Sequence, residues 1–328
     1  MASIIRASII GFGNVGRSLF LEAQDNPFIE VAVVSSSKGS VYIRGVREAK
    51  AIEALAREGR KLDGYEGLER VDPVEALDNA GVDVAFIAIP PNYDDGEPNI
   101  SLYRSIVNRG VDIVTADKTV LALDYHGFLS YAAIRGVRVG YTATVAAGIP
   151  AIEATRALKY RGVERIEAVL NATTNYILSL MEEGLSYEEA VEKAIKTKLA
   201  EPDPRVDTHG WDPAAKLAIL LSTLGRRVTI RDIERIPLEE AVDTDKIRKA
   251  MNKGLKIKYI AHADLKKEEY RVEPIELPEN DPLARTHGIY NTIRYTLEGE
   301  TVTLSGPVGP AWRTARVMLS EALLIAKP

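Results

Sequence analysis

The run Gly11-Phe12-Gly13-Asn14-Val15-Gly16 constrains this chain more than any other stretch, because of what flanks it. Ahead of it, Ser8-Ile9-Ile10 closes a short apolar, β-branched segment; behind it, residues 15–24 carry apolar side chains at helical spacing. A strand that turns on glycines into a helix opens a βαβ unit of the kind that binds dinucleotides. Gly11 permits the tight turn, Gly13 lets the backbone approach a pyrophosphate, and Gly16 lets the helix pack close to the strand. The helix N-terminus then offers amide donors to the phosphates. In any other context the same pattern would be an ordinary glycine turn.

The rest of the first 140 residues keeps this rhythm. Residues 31–34, 82–89, 111–115 and 137–141 read as strands, and 48–58, 100–109 and 125–134 as helices, the alternation that builds a parallel sheet. Beyond Gly148-Ile149-Pro150 the pattern changes. Residues 152–160, 186–196 and 213–224 read as helices, 166–170 as a strand, and 201–210 as an acidic, proline-broken loop. Residues 255–304 are strand-like, with turn signals at 278–281 and 298–300, and 314–325 reads as a last helix. The expected fold class is α/β: a Rossmann-type dinucleotide-binding domain joined to an α+β domain.

Composition removes several kinds of chemistry. With 42 basic and 47 acidic residues the formal charge is −5, which argues against nucleic acid as the main partner. The chain has no cysteine, so it has no disulfide framework, thiolate zinc site or cysteine nucleophile. Its four histidines form no zinc-binding spacing. There is no charged leader with an apolar stretch behind it, and no segment nears the roughly 18 apolar residues of a membrane span. The expectation is a cytoplasmic protein acting on a small molecule. No Tyr-x-x-x-Lys occurs, so the tyrosine-lysine proton relay of short-chain dehydrogenases is missing as well.

Three segments remain as candidates for the chemistry. An NAD-selective site usually places an acid at the end of the second strand, but this chain reads Ser35-Ser36-Ser37-Lys38 there. With no carboxylate to repel a 2′-phosphate, the hydroxyls of Ser35, Ser36 and Ser37 and the ammonium of Lys38 could receive one, which favours NADP over NAD; the alternative is a solvated polar loop. Thr115-Ala116-Asp117-Lys118 follows a strand, where open α/β sheets bind ligands, and Lys118 could exchange a proton with a carbonyl or hydroxyl oxygen. The stretch 201–216 combines Glu201, Asp203, Asp207 and Asp212 with Lys216 one helical turn beyond Asp212, a mixed-charge set suited to a zwitterion. Equally, Asp212 could be only an N-cap ahead of Pro213, with Lys216 as its ion-pair partner.

Taken in order, these motifs resemble the homoserine dehydrogenase family over nearly the whole chain. The family's glycine start, its Thr-Ala-Asn-Lys-like segment, its crossover ending Gly-x-Pro, its Asn-Gly-Thr-Thr-Asn-like segment and its Glu-x-Asp-Pro loop leading to Gly-x-Asp-x-x-x-Lys match residues 11–16, 115–118, 142–150, 171–176 and 201–216. The resemblance implies NAD(P)-dependent interconversion of L-aspartate 4-semialdehyde and L-homoserine. It makes Lys118, Lys216 and Asp212 catalytic, and Glu201, Asp207, Thr173 and Thr174 substrate-binding, with Glu201 on the substrate ammonium. Pro90, Thr115, Lys118 and Gly309 join the cofactor-binding set, with residues 306–309 as the turn by which the last helix returns to the cofactor domain. The implied domains are 1–141 with 305–328 for the dinucleotide, and 142–304 for catalysis and dimerisation. A homodimer through 255–304 is expected, as is a stand-alone enzyme without a kinase portion or an amino-acid-binding regulatory extension.

The chain departs from the family pattern at three positions. Thr142 stands where the family has a glutamate of a monovalent-cation site, which puts sodium at Val145, Ala147 and Ile149 in question. Asp117 replaces the usual Asn; paired with Lys118, it would raise that lysine's pKa and move the optimum towards alkaline pH. Ala172 replaces a common Gly. Two rival readings share the glycine motif: another amino-acid oxidoreductase such as an aspartate dehydrogenase, and a silent NADP(H) sensor. Neither has a reason to carry the 201–216 cluster.

Overall fold

The computed structural model describes residues 4–326, so residues 1–3 and 327–328 of the expected first domain lie outside it. The chain forms two units, one running to Ala147 and resuming at Gly309, the other Gly148–Val308.

The first unit is built in the order β1 (Ile5–Ile10), α1 (Asn14–Gln24), β2 (Ile29–Ser36), β3 (Gly39–Tyr42), α2 (Val46–Arg57), α3 (Pro73–Ala80), β4 (Val84–Ile87), α4 (Asn99–Asn108), β5 (Asp112–Thr115), α5 (Thr119–Ile134) and β6 (Val139–Gly140). The sheet order is β3-β2-β1-β4-β5-β6, parallel throughout except for the β2–β3 hairpin. Strand β4, Val-Ala-Phe-Ile, is buried at every position, which is why it reads as an unbroken apolar run and not as an alternating one; β5 is equally buried, with Ile113 and Val114 between the polar Asp112 and Thr115.

Two elements of this unit lie outside the strands and helices expected from sequence, although local signals mark them. Helix α3 starts at Pro73, with Asp72 capping the Val74 amide at 2.8 Å and Gly81 closing it at φ 61°. Strand β3 pairs back on β2 across the Ser37-Lys38 turn. Helix α5 begins at Thr119, earlier than expected, because Asp124 breaks it with φ −151° and ψ 54° and only the part beyond the break has clear periodicity.

The second unit contains α6 (Ala151–Leu158), β7 (Val163–Val169), α7 (Ala172–Glu182), α8 (Tyr187–Lys196), α9 (Arg205–Thr208), α10 (Trp211–Thr223), β8 (Glu234–Arg235), α11 (Leu238–Ala241), α12 (Thr244–Met251), β9 (Leu255–Asp264), β10 (Glu269–Pro278), β11 (Tyr290–Leu297) and β12 (Glu300–Pro307). Its sheet order is β12-β11-β7-β9-β10-β8, antiparallel apart from the β10–β8 pair. Helix α7 was not predicted: Thr173, Thr174 and Asn175 are poor helix formers, and the helix is started by Asn171, whose side chain accepts from the Thr174 amide at 2.9 Å.

The last helix, α13 (Ala311–Ile325), belongs to the first unit. Its Ala315, Met318, Leu319 and Ala322 share one core with Leu19, Phe20 and Ala23 of α1, where each large side chain contributes about 1.5–3 kcal/mol. It also carries Glu321, 5% exposed, whose carboxylate accepts from the Tyr141 amide at 3.0 Å and from the amide and hydroxyl of Thr142 at 2.9 and 2.6 Å. Residues 142–147 thereby pack with the first unit, a little past the boundary expected from sequence.

Candidate active site

The glycine motif makes a cradle whose three glycines serve different purposes. A Cβ on Gly11, at φ 99°, would lie 2.2 Å from the Ala88 carbonyl oxygen, and one on Gly16 would lie 1.8 Å from that of Gly11. Both glycines are demanded by the protein's own packing. A Cβ on Gly13 would meet nothing within 4 Å, so this glycine faces open space in the cleft. Gly13 is the N-cap of α1, with no side-chain cap and no acid in the first turn, so the helix start presents amides to an anion. An open glycine over bare amides fits a dinucleotide pyrophosphate.

The cleft holds about 710 Å³ and is lined by Gly11, Phe12, Gly13, Asn14 and Val15 of the turn, and by Ser37, Lys38, Pro90 and Lys118. Three expected cofactor residues do not line it, the first being Gly16, which packs against Gly11. Thr115 is fully buried, its hydroxyl bonded to Tyr103, and Gly309 sits at the start of α13, where its carbonyl accepts from Arg313 Nε at 3.0 Å.

The ribose end corrects the sequence reading in two ways. Ser35 is turned into the core, its Oγ 2.8 Å from that of Ser40, and so is withdrawn from any ligand. A carboxylate also stands in the cleft: Asp63 accepts from the Ser36 hydroxyl at 3.0 Å and lines the site with Lys38 and Lys61. Asp63 arrives on a 3-10 turn, Leu62–Gly64, well beyond the second strand, so no local motif announces it.

Lys118 precedes α5 and lines the same cleft, while its neighbour Asp117 is 2% exposed. The Asp117 carboxylate accepts from the Thr119 amide at 3.0 Å, the Thr119 hydroxyl at 2.7 Å and Asn99 Nδ2 at 3.1 Å. Burial raises its pKa, against these bonds and the charge of Lys118. The pairing with Lys118 expected from sequence is therefore a charge interaction added to a carboxylate already bound by neutral donors.

The second unit gathers the other candidates at the end of β7. Asn171 Nδ2 donates to Asp207 Oδ1 at 2.5 Å and to Asp212 Oδ2 at 2.9 Å, and Lys216 Nζ donates to Asp212 Oδ2 at 2.7 Å and to the Leu170 carbonyl at 2.6 Å. Asp212 is not the N-cap, as one reading allowed: Gly210 holds that place at φ 78°, and Asp212 lies in the first turn with Lys216 one turn further along. Burial, and next the charge of Asp212, raise the pKa of Asp207. Thr174 bonds back to Asn171 at 3.1 Å, and Thr173 donates to the Leu199 carbonyl at 3.3 Å. Glu201 is exposed and is not bonded into the cluster.

Asn171, the hub of this arrangement, is not among the residues that the sequence marks for chemistry. The one available signal was its place at the head of the Asn-Ala-Thr-Thr-Asn segment. Two acids and a lysine around one amide give a site that can bind an ammonium group and polarise an oxygen.

For the expected cation, position 142 does meet a carboxylate, but Glu321 brings it and spends it on backbone amides and the Thr142 hydroxyl. Val145 and Ala147 are buried in the first unit, and Ile149 belongs to the second. Among the described residues no group of three or more His, Asp or Glu side chains is arranged to hold a metal ion.

A parallel sheet with this cradle, joined to a second unit bearing an acid-lysine cluster, defines an α/β oxidoreductase of Rossmann type. Sequence comparison specifies which: the homoserine dehydrogenase family model matches residues 150–323, and the chain belongs to that family. A homoserine dehydrogenase of Sulfurisphaera tokodaii is 33% identical, covering 97% of this chain and 98% of its own. An NAD(+)-dependent homoserine dehydrogenase of Pseudomonas canavaninivorans is 30% identical, covering 98% and 96%. In fold, a hyperthermophilic archaeal homoserine dehydrogenase solved with NADPH superposes with a TM-score of 0.81 at 24% identity, covering 97% and 96%.

Proposed function

We infer that the chain is an NAD(P)-dependent oxidoreductase interconverting L-homoserine and L-aspartate 4-semialdehyde. The observation that carries this reading is the Asn171, Asp207, Asp212 and Lys216 cluster in a chain of this family. When bound, the dinucleotide supplies or accepts the hydride. Oxidation of the substrate alcohol releases a proton from its oxygen, and reduction of the aldehyde requires one there. Lys118 is the residue assigned to move that proton. Lys216, oriented by Asp212 and the Leu170 carbonyl, contributes positive charge to an oxygen that becomes negative in the transition state. Asp207, with Thr173 and Thr174 beside it, answers the substrate ammonium, and the exposed Glu201 is a further carboxylate for that group.

NADP(H) is the assigned cofactor, with NAD(H) usable. Lys38 and Ser37 in the cleft support a 2′-phosphate, while Asp63 supports ribose hydroxyls. Among its relatives, a hyperthermophilic archaeal homoserine dehydrogenase is solved with NADPH and that of Pseudomonas canavaninivorans is NAD(+)-dependent. We take the working unit to be a cytoplasmic homodimer built on the 255–304 sheet, where β12 is an edge strand with several exposed positions; light scattering behind size exclusion checks the mass. Among the described residues no helix is long and apolar enough to cross a membrane.

The test is oxidation of L-homoserine by NADP and by NAD in parallel, with L-aspartate as control substrate. Homoserine-dependent formation of reduced cofactor is the expected result. Turnover of L-aspartate instead would replace this reading with that of an amino-acid dehydrogenase.

A further inference from the structure

Asn291, on β11, is fully buried, yet neither its Oδ1 nor its Nδ2 has a hydrogen-bond partner among the described residues. Leaving both polar atoms of a buried amide unpaired is costly, so a group outside the protein fabric is called for. The register shows where that group would sit. Residues paired across an antiparallel ladder share a face, and alternate residues along a strand do too. Asn291 therefore shares a face with Ile293 and Tyr295, which pair with Ala168 and Ile166 of β7.

Helices of the second unit cover this face. Tyr295 bonds Thr155 of α6 at 2.6 Å, and Tyr259, on the same face of β9, donates to the Thr208 carbonyl of α9 at 3.3 Å. One step beyond the Thr292–Val169 pair, Asn291 stands opposite Leu170, whose carbonyl receives Lys216 Nζ, and the next residue of the chain is Asn171. On its other side Asn291 pairs with Gly306, which has no side chain to compete for the space, although Ile149 packs above it.

We propose that Asn291 is a further substrate-binding residue, its Nδ2 donating to the α-carboxylate of the amino-acid substrate. The juxtaposition that carries the proposal is an orphaned, buried amide directly opposite Leu170, the residue whose carbonyl holds Lys216. An amide is the apt partner, since Asp207 and Asp212 repel a carboxylate and a neutral donor adds no charge to an already crowded site. The inference rests on the proposed reaction and names the partner of one end of its substrate.

The test uses the full chain with Asn291→Leu, which keeps the side-chain volume and removes the orphaned polar atoms. Wild-type turnover of L-homoserine is measured first, and its absence would overturn the reaction and this inference together. With turnover present, the variant is expected to show a KM for L-homoserine raised about ten- to a hundredfold, the loss of one hydrogen bond to a charged group, with the KM for NADP unchanged. 3-Aminopropan-1-ol, which lacks the carboxylate, is the control: the wild type should prefer homoserine to it, and the variant should lose most of that preference. A more stable variant with unchanged homoserine KM and unchanged preference would mean that buried water alone satisfies the amide, and the proposal would fall. Should Asn291→Leu not fold, Asn291→Asp carries the same comparison, because a carboxylate there repels the substrate's own.

Discussion

Replacing Asn171 removes two kinds of support with one side chain. Its Oδ1 caps α7 through the Thr174 amide, and its Nδ2 bridges the Asp207 and Asp212 carboxylates. In Asn171→Ala the lost cap costs about 1 kcal/mol. The lost amide-carboxylate bonds cost about 1.5–3 kcal/mol more, counted once because a single amide serves both acids. The sum, about 2.5–4 kcal/mol, is readable by urea unfolding. Asn171→Ser keeps a capping oxygen but lacks the amide that bridges the two acids and adds no charge beside them, so the difference between the two variants reports the cap.

The same change has a signature in pH. Asp207 already has a raised pKa, from burial and from the charge of Asp212, against which the Asn171 bond works. Without that bond the acid limb of kcat/KM should move to higher pH, because Asp207 holds its proton longer. For stability the sign is that of a carboxyl whose folded pKa exceeds its unfolded one. Its contribution is fully present below about pH 3.8 and is lost as pH rises through the folded value, and in Asn171→Ala that window should extend upwards. An unmoved acid limb in a variant destabilised by the full amount would refute the idea that Asn171 governs the acid pair and reduce it to a helix cap.

Four further outcomes follow from the geometry. Gly13→Ala should fold like the wild type but bind dinucleotide at least tenfold more weakly by calorimetry, whereas Gly16→Ala, whose Cβ would fall 1.8 Å from the Gly11 carbonyl oxygen, should lose thermal stability outright. Lys118→Ala and Lys216→Ala should each lower kcat about 10²- to 10⁴-fold, with NADP affinity near normal in Lys216→Ala; an unfolded Lys118→Ala would show a structural lysine instead. Asp63→Asn should raise the ratio of kcat/KM for NADP to that for NAD about tenfold, by removing a charge that opposes a 2′-phosphate, and an unchanged ratio would exclude Asp63 from the ribose site. Lys258 is buried between Asn175 Oδ1 and the Thr286 carbonyl, and burial lowers its pKa to about 8. Because its folded pKa lies below its unfolded one, stability should rise between about pH 8 and 10.5, and Lys258→Met should abolish that rise in denaturant titrations.

Much of the first unit was legible because its signals are local. The Gly11 to Gly16 turn, the buried runs of β1, β4 and β5 and the helical spacing of α1 and α4 each depend on neighbours in sequence. Helix α3 was equally local, with Asp72, Pro73 and Gly81 marking both ends, and could have been read. Helix α7 was harder, because its first turn is rich in β-branched and polar residues and its start depends on one asparagine cap.

Sequence by itself determined which chemistry this protein can carry: glycines in the order a dinucleotide turn requires, Lys118 behind a strand, and Asp212 and Lys216 one helical turn apart, since such spacings follow directly from backbone geometry. Tertiary structure alone decided which groups meet. It turned Ser35 into the core, brought Asp63 into the cleft, joined Asp207 and Asp212 through Asn171, left Glu201 in solvent and closed Glu321 over Thr142. Each of these depends on strand register and helix packing between residues far apart in the chain, which no local pattern encodes.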